Sequence, residues 1–98
     1  MADHRISDIQ KKTLKILYWL NERQGKDHLP VPATALFEMV AKNTQHTIAA
    51  SNYRKSCQTL VKRGMLNQYR HPKTLRLAYK LTPDGKQQAK KICDKDSN

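Results

Sequence analysis

TIAASNYRKSCQTLVKRGMLNQYRHPKTLRLAYKLT, from Thr47 to Thr82, is the stretch whose reading decides the fold. Tyr53, Cys57, Leu60 and Val61 fall on one face of a helix, while Ser51, Asn52, Arg54, Lys55 and Gln58 point elsewhere. Gly64 closes that helix, because a residue without a side chain accepts a positive φ at little cost. The helix has two candidate starts, capped by Thr47 or by Ser51, and the pattern leaves both open. Met65 to Arg70 then reads as a strand with Leu66 inward, and His71-Pro72-Lys73 as a turn. From Leu75 the alternation is strict: Leu75, Leu77, Tyr79 and Leu81 share one face, and Arg76, Ala78 and Lys80 the other. No acidic residue lies between Glu38 and Asp84, whereas Lys42, Arg54, Lys55, Lys62, Arg63, Arg70, Lys73, Arg76 and Lys80 are all basic.

The flanks read as support for this unit. Ser7 and Gln10 fit a capping box that opens a helix running to about Gln24. Ile9, Thr13, Ile16, Leu17 and Leu20 form its apolar stripe, with Tyr18 and Trp19 at or beyond the rim. Gly25 supplies a stop. Pro30 and Pro32 impose extended backbone on Lys26 to Pro32. A second helix is expected over Ala33 to Lys42 with Leu36, Phe37 and Val40 inward, ending at Asn43 and a turn over Thr44 to His46. Thr82 caps a last helix with Pro83 at its first position, and Ala89, Ile92 and Cys93 give it a weak apolar face. Residues 1–6 and 94–98 are polar and expected to be disordered. A single domain over 1–98 accounts for the length.

The chain has 98 residues, is 38% hydrophobic and carries a formal net charge of +11. That leaves room for one small core and not for a deep, walled catalytic cavity. The surplus of positive charge favours a polyanionic partner. It is spread over a helix and a hairpin rather than along one long apolar helix, so nucleic acid is expected rather than a membrane surface. Cys57 and Cys93 form no CxxC pair and the histidines have no ligand spacing, so neither a metal nor another cofactor is expected. Two cysteines without a secretory signal point to reduced thiols in a cytoplasm, with the protein associated with the nucleoid. No carboxylate pair, Ser/His/Asp set or Gly-rich phosphate loop is present, and the chain does not read as an enzyme.

The order helix, helix, helix, strand, strand, helix resembles winged helix-turn-helix regulators, a mainly α class with a small β-hairpin (α+β). LVKRGML (Leu60 to Leu66) looks like the end of the family's recognition helix. LTPDGK (Leu81 to Lys86) resembles the Leu-Thr-x-x-Gly that follows the wing in MarR-like and PadR-like repressors. The resemblance covers about Ala33 to Lys91. It implies a small prokaryotic, phage or plasmid transcriptional regulator that places helix 47–63 in the major groove of double-stranded DNA and lays wing 70–76 on the backbone or in the minor groove. In that reading Arg54 pairs with guanine and Asn52 or Gln58 with adenine, while Ser51 and Lys55 contact phosphate. Arg70, His71, Lys73, Thr74 and Arg76 form the wing contacts. The chain departs from the MarR-like pattern in two ways. No Asp stands between Arg70 and Arg76, and the long added helices that build the dimerisation domain and ligand pocket are missing, so no small-molecule effector is expected. A homodimer could still form through Tyr18, Trp19 or the last helix. The alternatives are a winged-helix protein-interaction module, against which the acid-free stretch argues, and an RNA-binding module, for which Tyr69 and Tyr18 form no stacking platform.

Overall fold

The computed structural model describes residues 7–24, 29–45 and 47–96. The glycine stop at Gly25, the residues Lys26 to His28 and His46, and the expected disorder of 1–6 and 97–98 lie outside that set. The elements run α1 (Asp8–Gln24), β1 (Val31–Pro32), α2 (Ala33–Lys42), α3 (Ala50–Lys62), β2 (Leu66–Arg70), β3 (Leu77–Leu81) and α4 (Pro83–Asp96). The fold is thus mainly helical with a small antiparallel sheet. That sheet has three strands rather than the expected two, in the order β1-β3-β2. β1 pairs Val31 with Tyr79 and Pro32 with Ala78. Only a neighbour's hydrogen bonds make two extended residues a strand, and Pro32 is tolerated because β1 is an edge. α4 continues to Asp96, so the tail expected to be disordered from Asp94 begins inside the helix.

The capping box is present: the Ser7 amide donates to Gln10 Oε1 at 3.0 Å, and the Gln10 amide donates to Ser7 Oγ at 3.2 Å. The buried stripe of α1 keeps Thr13 and Leu17 of the expected one and is otherwise rotated from it. It consists of Gln10, Thr13, Leu14, Leu17 and Asn21, while Ile9, Ile16 and Leu20 are only half-buried. Three of those five are polar, and tertiary hydrogen bonds make two of them acceptable inside. Gln10 Nε2 donates to the Ser56 carbonyl at 3.3 Å. Thr13 Oγ1 donates to the Ile9 carbonyl at 2.9 Å and lies 3.1 Å from the Tyr53 hydroxyl, which is left to donate to it. The core gathers Leu14 and Leu17 with Leu36, Val40, Tyr53, Cys57, Leu60, Leu66, Tyr79, Ala89 and Ile92. Phe37 and Val61 pack against it from the edge, and Phe37 meets the Tyr53 ring at 5.3 Å between centroids.

α3 starts at neither Thr47 nor Ser51. Its N-cap is Ala49, which has no side chain able to hold the first amides, and the helix spans 50–62 rather than 47–63. Its end is as expected. Gly64 has φ +78°, its amide donates to the Val61 carbonyl at 3.0 Å, and the Met65 amide donates to the Leu60 carbonyl at 2.9 Å. This is the paired 5→2 and 6→1 arrangement of a Schellman stop. β2 and β3 pair from Leu66–Leu81 to Arg70–Leu77, leaving residues 71–76 as the tip. Leu75 therefore belongs to the tip and not to the buried face of β3: it is 59% exposed and has φ +60°.

The two ends of the α3–hairpin unit meet at one corner. Thr82 Oγ1 donates to the Gly64 carbonyl and accepts from the Gly85 amide at 3.0 Å, and the Thr82 amide donates to the Met65 carbonyl at 3.1 Å. A Cβ on Gly85 would stand 1.9 Å from the Met65 carbonyl oxygen, whereas one on Gly64 would meet nothing within 4 Å. Gly85 is required for close approach and Gly64 for its φ. Gly85→Ala should therefore lose about 3 kcal/mol or more, since backbone must move to admit the methyl. Gly64→Ala should lose about 1 kcal/mol from left-handed strain alone. Urea unfolding of both variants checks the order.

Burial pushes the Cys57 thiol up from 9.0 to about 11, and pushes the Tyr53 phenol far above its usual range. Below pH 9.0 the thiol keeps its proton whether folded or unfolded. Above it the unfolded chain ionises first, so stability should fall by about 1 kcal/mol per pH unit as the pH rises towards the folded value. Urea midpoints measured across that alkaline range test this, and Cys57→Ala should flatten part of the profile.

Candidate nucleic-acid interface

One face of α3 goes into the core through Tyr53, Cys57 and Leu60, and this leaves the opposite face to solvent. Ser51, Asn52, Arg54, Lys55 and Gln58 are all exposed there, as the helical spacing requires. The five hairpin residues Arg70, His71, Lys73, Thr74 and Arg76 are exposed as well. The ten are not equivalent in geometry.

Arg54, Arg70 and Arg76 come together. They line a cleft between α3 and the hairpin whose apolar floor includes Phe37, Tyr53 and Tyr79. Burial raises the Tyr79 phenol, and Arg54 is near enough to oppose that rise. Ser51, Asn52, Lys55 and Gln58 lie outside this cleft, on the outer surface of the helix.

His71 and Thr74 are largely occupied in building the tip. His71 Nδ1 accepts from the Lys73 amide at 3.1 Å and from the Thr74 amide at 3.2 Å. Thr74 Oγ1 accepts from the Arg76 amide at 3.4 Å. Backbone bonds from the His71 amide to the Arg76 carbonyl and from the Leu75 amide to the His71 carbonyl, both 2.9 Å, close the loop. Arg70 Nη1 reaches the Leu75 carbonyl at 3.3 Å and so is braced across the tip. The imidazole thus supplies an acceptor that fixes the shape of the loop, and the cationic side chains of Lys73 and Arg76 project from a defined frame.

The cleft is also lined by residues that the sequence does not mark as site residues, Thr34 and Leu75 among them. Thr34 sits one residue into α2, and its position beside the hairpin depends on tertiary packing alone. Alternation alone places Leu75 in the core; the end of the ladder at Leu77 and the positive φ of Leu75 put it in the tip instead. α2 and α3 also share a feature: each begins without a side-chain hydrogen-bond cap and without an acidic residue in its first turn. Their first residues, Ala33 and Ala50, both line the cleft. Uncapped amides and the positive end of the helix dipole attract anions.

No family model matches the chain, and no curated protein matches it in sequence. Among solved structures it is similar to the adhesin competence repressor AdcR from Streptococcus pyogenes, with a TM-score of 0.64 and 19% identity over 97% of this chain and 60% of that one. It is also similar to SSV1 F-93, with a TM-score of 0.58 and 13% identity over 84% of this chain and 80% of that one. The chain spans about three-fifths of the AdcR chain, so the likeness concerns the fold of that part. With α3 and its basic hairpin disposed as described, the chain has the winged helix-turn-helix fold.

Proposed function

We propose that this protein binds double-stranded DNA in a sequence-specific manner and acts as a small transcriptional regulator associated with the nucleoid. α3 enters the major groove, and the wing, residues 70–76, rests on the backbone or in the minor groove. The observation that carries the reading is the outer face of α3 together with the hairpin tip. Both are exposed, both are basic, and no acidic residue lies between Glu38 and Asp84 to offset them. The major groove admits an α-helix and presents a distinguishable pattern on each base pair. Arg54 suits guanine, and Asn52 or Gln58 suits adenine. Ser51, Lys55, Lys73 and Arg76 suit phosphates, which set register without reading sequence. His71 and Thr74 act through the shape of the wing. AdcR is named a repressor, and repression is the mode proposed here. Two copies paired through Tyr18 or α4 would set their α3 helices about one DNA turn apart, roughly 34 Å, on a palindromic site.

Gel-shift or fluorescence-anisotropy titration on the DNA upstream of the protein's own gene tests the reading. With about six phosphates neutralised, affinity should fall roughly a thousandfold between about 50 and 200 mM salt. A salt-insensitive interaction, or equal affinity for single-stranded RNA, would overturn it. Arg54→Ala should relax sequence preference, with a loss of about 1–3 kcal/mol on the preferred site. Lys73→Ala should weaken binding to all duplexes alike and lower the salt slope by about one. The reverse pattern would exchange the two roles.

A further inference from the structure

Beside the buried stripe of α1 runs a second apolar line that is only partly covered: Ile16 is half-buried against the edge of the core, and Trp19 is exposed. The two are three apart, on the side of α1 that faces α2. With Met39 they line a groove whose polar margin is Lys12, Lys15, Lys42 and Asn43. Trp19 is 54% exposed, large for an indole with no site to serve. Its ring is held in place: the Arg23 guanidinium lies over it, 4.8 Å from the centroid. The groove is braced from both sides as well. Lys12 Nζ pairs with Asp8 at 3.1 Å and donates to Thr44 Oγ1 at 3.4 Å, which links α1 to the end of α2. Asn43 Nδ2 donates to the Met39 carbonyl at 2.8 Å and fixes the far rim.

We infer that this α1–α2 groove docks an acidic, amphipathic helical segment of another protein. Its Leu or Phe side chains enter over Ile16, Trp19 and Met39, and its carboxylates meet the lysine rim. Two features of the groove select this occupant. An apolar floor offers nothing to a phosphate backbone, yet it suits the anchor residues that a helix in a groove presents three and four positions apart. A second copy of the chain is disfavoured, because a two-fold contact sets the same patch on both sides and brings each lysine rim against its own image. No residue of α3 or of the hairpin lines the groove, so a partner held here leaves the proposed DNA face open.

Trp19 is the single tryptophan, so its emission reads the groove directly. The full chain is titrated with a synthetic helical peptide carrying Leu and Phe at one face and Glu elsewhere, and with a control peptide in which Ser replaces Leu and Phe. The first should shift Trp19 emission to the blue and saturate, and the control should leave the wavelength unchanged. Lys15→Glu combined with Lys42→Glu should weaken the first peptide roughly tenfold, since rim charges contribute modestly each. Met39→Gln, which keeps every charge, should weaken it as well, with far-UV circular dichroism confirming that both variants are folded. Equal binding of the two peptides would reduce the effect to net charge and overturn the proposal. So would an absent shift, a blue shift that grows with protein concentration alone, or displacement of the peptide by a DNA duplex.

Discussion

The corner at Thr82 is the constraint on which the rest depends. One hydroxyl donates to the carbonyl of Gly64 and accepts from the amide of Gly85, and the Thr82 amide takes up the Met65 carbonyl. The end of α3, the base of the hairpin and the start of α4 are thereby bound to one another within a few residues. Gly64 makes the corner possible by turning the chain through positive φ, and Gly85 by letting α4 lie against the Met65 backbone. LVKRGML and LTPDGK, about twenty residues apart in the chain, are thus the two sides of a single contact. That contact sets the angle between the helix and the wing.

Legibility in the sequence followed how local each determinant was. The capping box at Ser7, the glycine stop at Gly64 and the Thr82-Pro83 start of α4 are decided within a turn or two, and each was read where it stands. The stripe of α1 is legible only at Thr13 and Leu17. Ile16 and Leu20 look more interior than Gln10 and Asn21, but Gln10 is buried because Ser56, far along the chain, supplies its partner, as Tyr53 does for Thr13. The apolar residues thus displaced from the stripe include Ile16, which ends up beside Trp19 on the second face. β1 was invisible for the same kind of reason, since it exists only through β3. The outer face of α3 was fully legible because it is the complement of Tyr53, Cys57 and Leu60, and a complement needs no tertiary knowledge. The inward bonds of His71 and the braced Arg70 were not, as they depend on how six residues close at the tip.

Asn21 shows the limit of accommodation in this core. Its Oδ1 is buried without a hydrogen-bond partner among the described residues, beside a small cavity that Leu17, Leu20, Val31 and Tyr79 help to line. An unmet buried acceptor costs about 1–3 kcal/mol. A small domain tolerates such a cost only if other contacts offset it, and here the corner at Thr82 and the Thr13–Tyr53 pair lie within the same framework.

The helix starts carry the same logic to the surface. Capping α2 and α3 with Ser, Asp or Asn would typically contribute about 1 kcal/mol each, yet Pro32 and Ala49 occupy those positions. Both starts border the cleft that Arg54, Arg70 and Arg76 also line, so two uncapped, acid-free helix ends stand beside the arginines. Acidic caps would neutralise that region from within. Under the proposed reading, phosphate oxygens take the place of the missing caps, and the domain is completed electrostatically by its ligand. The formal charge of +11 then follows from the same principle, since repulsion within the free protein is relieved when the polyanion arrives.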